Sequence, residues 1–433
     1  MGNHDLCITA AGDMLIQRRV PDDYEGLDEL RNFILQGDAR FFNLETTVNS
    51  GKGWGNQYNG GSYLRINPEI LEGVKKYGFN MTTPANNHSM DFSHWGLLET
   101  IDALDSSGLV HAGCGRNLSV AAAPAYLDTK NGRIGLIAGT STFEPPAMAG
   151  EQSRYYIGRP GVNGIRHKEI FQVTKDQMKI VKELAQATNV NAFDDIFRSE
   201  GYLPPLNKGE YCLGKLKFQL GDETKRISTV NPTDMQRIIK MIQVASYQSD
   251  YIIVSIHSHE VKGINKEIPD DFLVEFAHKC IDAGANTVIG HGPHLLRAIE
   301  IYKASPIFYS LGDFMLENEN IPNGPEDFYQ MYNLSSDDSI YDLFERRSQG
   351  FKKGLQSDHR AFETVVPCIR MHDGKLESVT LLPVECGFKQ KKSMGGLPKI
   401  KRNADFMKRL AQLSKEFGTE IIVREDGLGE IRL

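Results

Sequence analysis

Short apolar runs of strand length alternate with amphipathic segments of helix length over the first 150 residues, and again from about 231 to 312. That alternation predicts an α/β fold. Strands are expected at 6–10, 40–44, 79–83, 134–138, 251–256, 287–289 and 307–310. The helix predicted at 68–77 opens on Pro68 and stops at Gly78. The one at 270–283 carries Phe272, Phe276 and Ala283 on one apolar face before Gly284.

The pattern breaks in two places. Residues 151–230 are rich in polar and charged positions, with one long helix expected at 168–187 and a Gly/Pro-containing stretch after it. This segment reads as an insertion, and a lid is the role expected of it. Residues from about 317 to 360 are polar enough to form a lid or surface excursion beside the site. Strands at 363–370 and 376–384, separated by Met371-His372-Asp373-Gly374, predict a hairpin that finishes the core sheet. A last helix at 404–416 precedes a short tail. The expected organisation is one core domain over 1–390, with insertions at about 151–230 and 317–360, followed by a C-terminal helix and tail over 391–433.

Composition narrows the class. At 433 residues, 40% hydrophobic and 24% charged, the chain is an ordinary folded protein with room for a sizeable core. A net charge of −7, spread without a long run of either sign, argues against a nucleic-acid-binding or anionic-membrane surface. No apolar stretch reaches membrane-span length, and the N-terminus lacks signal-peptide order and the Ser or Thr of a myristoylation signal, so a cytoplasmic protein is expected. Six scattered cysteines with no CxxC pair fit reduced, mostly buried thiols.

The informative feature is where the polar residues fall. Six predicted strands run into groups that bind metal or move protons: Asp13, Glu45, Asn86-Asn87-His88, His257-Ser258-His259-Glu260, His291-Gly292-Pro293-His294 and Asp313. Ligands of α/β sheets bind outside the carboxyl ends of strands, so these groups can converge from about 300 residues apart. Singly, each has an ordinary reading: Asp13 as a helix N-cap, Asn86-Asn87-His88 as a turn, His257 and His259 as imidazoles sharing one strand face. Jointly, they point to a metal site. Imidazoles, carboxylates and an amide oxygen without cysteine suit Zn, Mn or Fe, and the ligand count fits two cations with a bridging carboxylate. Such a site favours hydrolysis.

Taken in order, Ala11-Gly12-Asp13, Phe42-Asn43-Leu44-Glu45, Asn86-Asn87-His88-Ser89-Met90-Asp91, Val254-Ser255-Ile256-His257, Ile289-Gly290-His291-Gly292-Pro293-His294 and Tyr309-Ser310-Leu311-Gly312-Asp313-Phe314 resemble the CapA/PgsA-type capsule-synthesis proteins. These are a branch of the calcineurin-like metallophosphoesterase superfamily. The resemblance implies a metallophosphatase-like two-sheet α/β sandwich with flanking helices and the metals at one sheet edge. It implies that Asp13 and His294 hold the first metal, that Glu45 bridges, and that Asn87, His257 and His291 hold the second. His88 then faces substrate as general acid, or stabilises charge on the leaving group, with Asp91 orienting it. The chain departs from the superfamily where Met14 and Leu15 follow Asp13 in place of a histidine ligand, and Glu45 stands for a bridging aspartate. Ser258-His259-Glu260 replaces the common Trp-Gly-acid, which makes His259 and Glu260 candidate acid/base, metal or substrate groups. Asp313 stands where relatives usually show Asn and adds a carboxylate to the cluster.

CapA-type proteins are associated with poly-γ-glutamate capsule synthesis or export. The leading expectation is a metal-dependent hydrolase in which a metal-bound hydroxide attacks a phosphoester or a glutamyl or peptide amide. The substrate would be an anionic small molecule, a peptide or polyglutamate, with Arg297 placed to hold its carboxylate or phosphate. Two other readings stay open. One is a metal-dependent peptide epimerase in which His88 or His259 moves an α-proton. The other is a non-enzymatic poly-γ-glutamate binding or assembly factor, which needs a basic groove; Lys389, Lys391, Lys392, Lys399, Lys401 and Arg402 are its candidates.

Overall fold

The computed structural model describes residues 5–433, so the signal and myristoylation readings of residues 1–4 lie outside the described residues. Two mixed sheets form the core. The larger, ten-stranded sheet is organised around Asp5–Leu15, with Ala39–Leu44 and then Met81–Thr83 parallel to it on one side. On the other side lie the antiparallel Glu363–His372 and its hairpin partner Lys375–Glu385. The smaller sheet orders six strands as Ile299–Tyr302, Ser305–Phe308, Thr287–His291, Tyr251–His257, Gly132–Thr140 and Ala125–Thr129.

Period-two alternation decides which face each side chain serves. Phe41 and Ile8 point inward to meet Ile253, Ile289 and Phe308 of the opposite sheet, while Phe42 points outward beneath Leu30, Ile34, Leu71 and Val74 of the helices Leu27–Ile34 and Pro68–Lys75. In the smaller sheet Ile252 and Val254 face outward onto Phe272 and Phe276 of Asp271–Asp282. Each such side chain, fully buried, contributes about 1.5–3 kcal/mol. The result is a two-sheet α/β sandwich with flanking helices and insertions.

Three expectations need correction. Residues 168–187 are not one helix: His167–Val173 is a strand and the helix is Lys175–Thr188. Thr174 accepts from the N–H of Gln177, whose side chain reaches back to Thr174, and that capping box sets the helix start after the apolar-rich Ile170-Phe171-Gln172-Val173. The insertion thereby builds its own four-stranded sheet, in the order Glu210–Leu213, Leu216–Leu220, His167–Val173, Lys225–Val230. The stretch after the last helix, Phe406–Lys415, is not a tail, because Glu420–Val423 and Gly429–Arg432 pair with each other and Gly429–Arg432 pairs onto Lys375–Glu385, burying Ile421 and Ile431. The polar 317–360 excursion hides an apolar cluster, in which Phe328, Leu343 and Phe344 pack on Tyr63 and Leu64.

All six cysteines are free, five of them buried, and Cys7 and Cys368 bring their sulfurs to 3.1 Å across adjacent strands. Among the described residues no helix is long and apolar enough to cross a membrane.

Candidate metal centre

The strands' parallel register explains the convergence. Asp13 pairs with Asn43 on one side and with Asp313 on the other, and His257 pairs with His291. Asp13 lies inside Asp5–Leu15 and so is a strand residue, not a helix N-cap. Gly12 permits this close approach, since a Cβ there would stand 1.8 Å from the carbonyl oxygen of Gly312.

Asp13 is anchored on both oxygens: Oδ1 accepts from Asn43 Nδ2 at 2.6 Å and Oδ2 from the N–H of Gly292 at 2.7 Å. Glu45 is not. It is fully buried, and neither carboxylate oxygen has a hydrogen-bond partner. Its Oε1 lies 3.8 Å from His257 Nε2, 3.8 Å from His294 Nε2 and 3.9 Å from His88 Nε2. His257 Nδ1 stands 3.0 Å from His291 Nδ1, and its Nε2 stands 3.0 Å from His259 Nε2 and 2.7 Å from Asn87 Oδ1. His294 Nδ1 meets Asp313 Oδ1 at 2.9 Å. Ligand atoms within 4.8 Å of one another form three overlapping sets: Asp13, His257 and His291; Glu45, His257 and His259; and Asp13, Glu45, His294 and Asp313.

Burial pushes the Glu45 carboxyl well up, and the charges of Asp13 and Asp313 push it further. Asp313 rises to about 6, again from burial, against the pull of His294. Burial also acts to raise Asp13, but hydrogen bonds and charge from His257 and His291 outweigh it and hold that carboxyl well below its usual range. His257 falls to about 4 because burial disfavours the imidazolium more than Asp13 supports it, so its ring is neutral near pH 7. Among the described residues, Asp13, Glu45 and Asp313 have only histidines as ion-pair partners. Buried carboxylates facing imidazoles, with Glu45 and Asp313 oxygens left unpaired, are the donor set a divalent cation fits.

Beside this cluster, His88 Nδ1 lies 2.7 Å from Asp91 Oδ2, and Asp91 is fixed by the N–H groups of Gly60 and Leu64 at 2.9 and 2.8 Å. Asn87 Nδ2 donates to the carbonyl of Gly60 at 3.0 Å, and a Cβ on Gly60 would stand 2.7 Å from the His88 ring. A cleft of about 420 Å³ opens here, lined by Asn59, Gly60, Asn87, Thr142, His259 and Glu260 among others. Arg347 donates to Ser62 Oγ at 2.7 Å and so ties the 317–360 excursion to the loop that carries Gly60.

The model of the bacterial capsule synthesis protein PGA_cap matches residues 7–318. The chain belongs to the PGA_cap family. It is 31% identical to an uncharacterized protein, y4sH, of Sinorhizobium fredii, over 98% of this chain and 93% of that one. It is 23% identical to the PGA biosynthesis protein CapA of Bacillus subtilis, over 72% of this chain and 63% of that one. A solved structure of a novel phosphatase from Mycoplasma pneumoniae aligns over 94% of this chain and 99% of its own at 11% identity, with a TM-score of 0.41.

In this PGA_cap chain the strand-end groups Asp13, Glu45, Asn87, His257, His291 and His294 converge, with His88, Asp91 and His259 beside them. Arg297 does not join them as an anion-binding arm. It is fully buried, and its guanidinium donates to the carbonyls of Lys266, Ser258, His259 and Glu260, so it clamps the loop that carries His259. Glu260 does line the cleft, held by the hydroxyls of Ser141 and Ser258 at 2.8 and 2.9 Å and by Thr142. The C-terminal basic cluster is not a bare groove: Lys399 pairs with Glu25, Lys401 with Glu385 and Arg402 with Glu29. The insertion is anchored on Asp270 through Arg226, and His167 is what it contributes to the cleft lining.

Three contributors have no role assigned from the sequence, although Asn43 and Ser255 stand within its motifs. Asn43 steadies Asp13, Ser255 Oγ meets His291 Nε2 at 2.8 Å, and Gly60 roofs His88. The first two were findable, since Asn43 is two residues before Glu45 and Ser255 two before His257, on the same strand faces. Gly60 carries no such periodic signal.

Proposed function

We propose that this PGA_cap chain is a metal-dependent hydrolase of a phosphoester or of a glutamyl or peptide amide. Mn, Zn or Fe would be held by Asp13, Glu45, Asn87, His257, His291 and His294. The observation that carries the reading is Glu45, a fully buried carboxylate with two unpartnered oxygens among imidazoles. Burying such a carboxylate unpaired is costly, and a bound cation would offset that desolvation. When bound, the cations supply Lewis acidity, the chemistry that makes water a competent nucleophile near neutral pH.

The chain's own residues supply the rest. Asp91 takes one nitrogen of His88, so that Nε2 addresses the centre and can pass a proton to a departing oxygen or nitrogen. Asn87 joins the cleft wall to the centre, its oxygen toward His257 and its nitrogen toward Gly60. Arg297 holds the backbone of Ser258 to Glu260 rigid, which positions His259 at the cleft. A relative named for PGA biosynthesis supports a polyglutamate-derived substrate.

The test is turnover of bis-p-nitrophenyl phosphate and of γ-glutamyl-p-nitroanilide by Mn-reconstituted protein. Metal-dependent hydrolysis of either, suppressed by His88→Ala with metal content unchanged, supports the reading. Hydrolysis of neither by a fully metal-loaded protein counts against it. Deuterium entering a recovered peptide without cleavage would move the chemistry to epimerisation.

A further inference from the structure

The six groups assigned to metal in the proposed hydrolase leave one buried carboxylate over. Asp313 opens the strand Asp313–Leu316 and is paired in register with Asp13. It is fully buried, and its two oxygens have different surroundings. Oδ1 meets His294 Nδ1 at 2.9 Å, which turns Nε2 of that ring toward Glu45, whereas Oδ2 has no partner at all. Orienting His294 uses one oxygen and leaves the second paying its full desolvation cost. Asp313 also presents a ligand atom within 4.8 Å of those of Asp13, Glu45 and His294.

Resting on the metal-dependent reading above, we infer that Asp313 is itself a metal ligand through Oδ2 and that the centre is asymmetric in its choice of metal. Asp13, Glu45, Asp313 and His294 offer three carboxylates and one imidazole. That oxygen-rich set favours a hard cation such as Mn²⁺ or Mg²⁺. Glu45, His257 and His259, with Asn87 adjoining and His291 3.0 Å from His257, form a set in which imidazole nitrogen dominates, and it favours Zn²⁺. His259 is on this account a ligand and not a free base. Its Nε2 stands 3.0 Å from that of His257, and both rings would hold the cation through these nitrogens. Glu45 is common to both sets and is the residue with both oxygens free.

Asp313→Asn separates ligation from orientation. The amide oxygen still accepts from His294, while the charged second oxygen becomes an NH₂ that repels a cation. Wild-type and variant proteins would be stripped, given one equivalent of Zn²⁺ per chain and an excess of Mn²⁺, dialysed, and read by elemental analysis together with the Mn²⁺ electron paramagnetic resonance signal. The wild type is expected to hold one Mn²⁺ and one Zn²⁺. Asp313→Asn should keep Zn²⁺, which also shows that it folds, and bind Mn²⁺ more weakly by about 10–100-fold. Mn²⁺ affinity unchanged in Asp313→Asn, beside a normal wild type, overturns the inference and leaves Asp313 as a positioning residue. A wild type that takes up neither metal overturns the metal-dependent reading itself, and so the two failures are told apart.

Discussion

The carboxylates Asp13, Glu45 and Asp313 come from strands of the larger sheet or the turns that follow them, whereas His257 and His291 end adjacent strands of the smaller sheet. The two contributions are held differently. Asp13 is tied to an amide side chain and a backbone N–H, while His257 has imidazoles and the Asn87 amide for near neighbours. Neither half is well satisfied alone. Burial and the charges of Asp13 and Asp313 raise the Glu45 carboxyl, and burial together with neighbouring imidazoles lowers His257 and His259. The sandwich sets an acid half against a nitrogen half, and a bound cation would satisfy both.

That contrast is broken most severely at Glu45, which both halves share. Glu45→Gln is expected to abolish high-affinity metal binding and to lower any hydrolytic turnover by about a thousandfold or more. The metal-free protein should melt no lower than the wild type, since an unpaired buried acid has been removed. Metal titration followed by melting curves checks both signs. His88→Ala lies outside both halves: turnover should drop by about 10²–10⁴-fold with metal content intact, and a loss of metal in that variant would place His88 among the ligands.

Acid should weaken binding next. Because the carboxyls of Glu45 and Asp313 are raised, the latter to about 6, the metal-free centre carries protons that an arriving cation must displace. Below about pH 6, affinity is therefore expected to fall by up to about tenfold per pH unit for each proton released. Calorimetric titrations at pH 5.5, 6.5 and 7.5 read this directly, and a pH-independent constant would contradict it. The smallest effect on the centre is expected from Arg297. Arg297→Met removes the donors of four carbonyls and should cost about 3–5 kcal/mol of stability while metal stoichiometry stays as in the wild type. A variant that folds normally but shows only a raised KM would restore the substrate-binding role expected from the sequence.

Much of this was legible in the residues because alternation and strand-end position are local properties. The runs ending at Asp13, Glu45, His257 and His291 have the right length and period to be strands, and parallel register does the rest. What could not be read depends on partners distant in sequence. Arg297 looked like a free cation three residues past His294 because the carbonyls that consume it belong to 258–266. The strand His167–Val173 read as helix because its polar alternation is half-exposed and its pairing partners lie some 50 residues later. The stretch after the last helix looked like a tail because Ile421 and Ile431 are buried through pairing with each other and the helix packed against them.

The most direct measurement is the metal content of protein purified without chelator, for the wild type and for Asn87→Ala and His291→Ala. Close to two divalent ions per chain, with at least one lost in each variant, is the result the account predicts. A wild-type protein that remains metal-free even after reconstitution with Mn²⁺ and Zn²⁺ would contradict it.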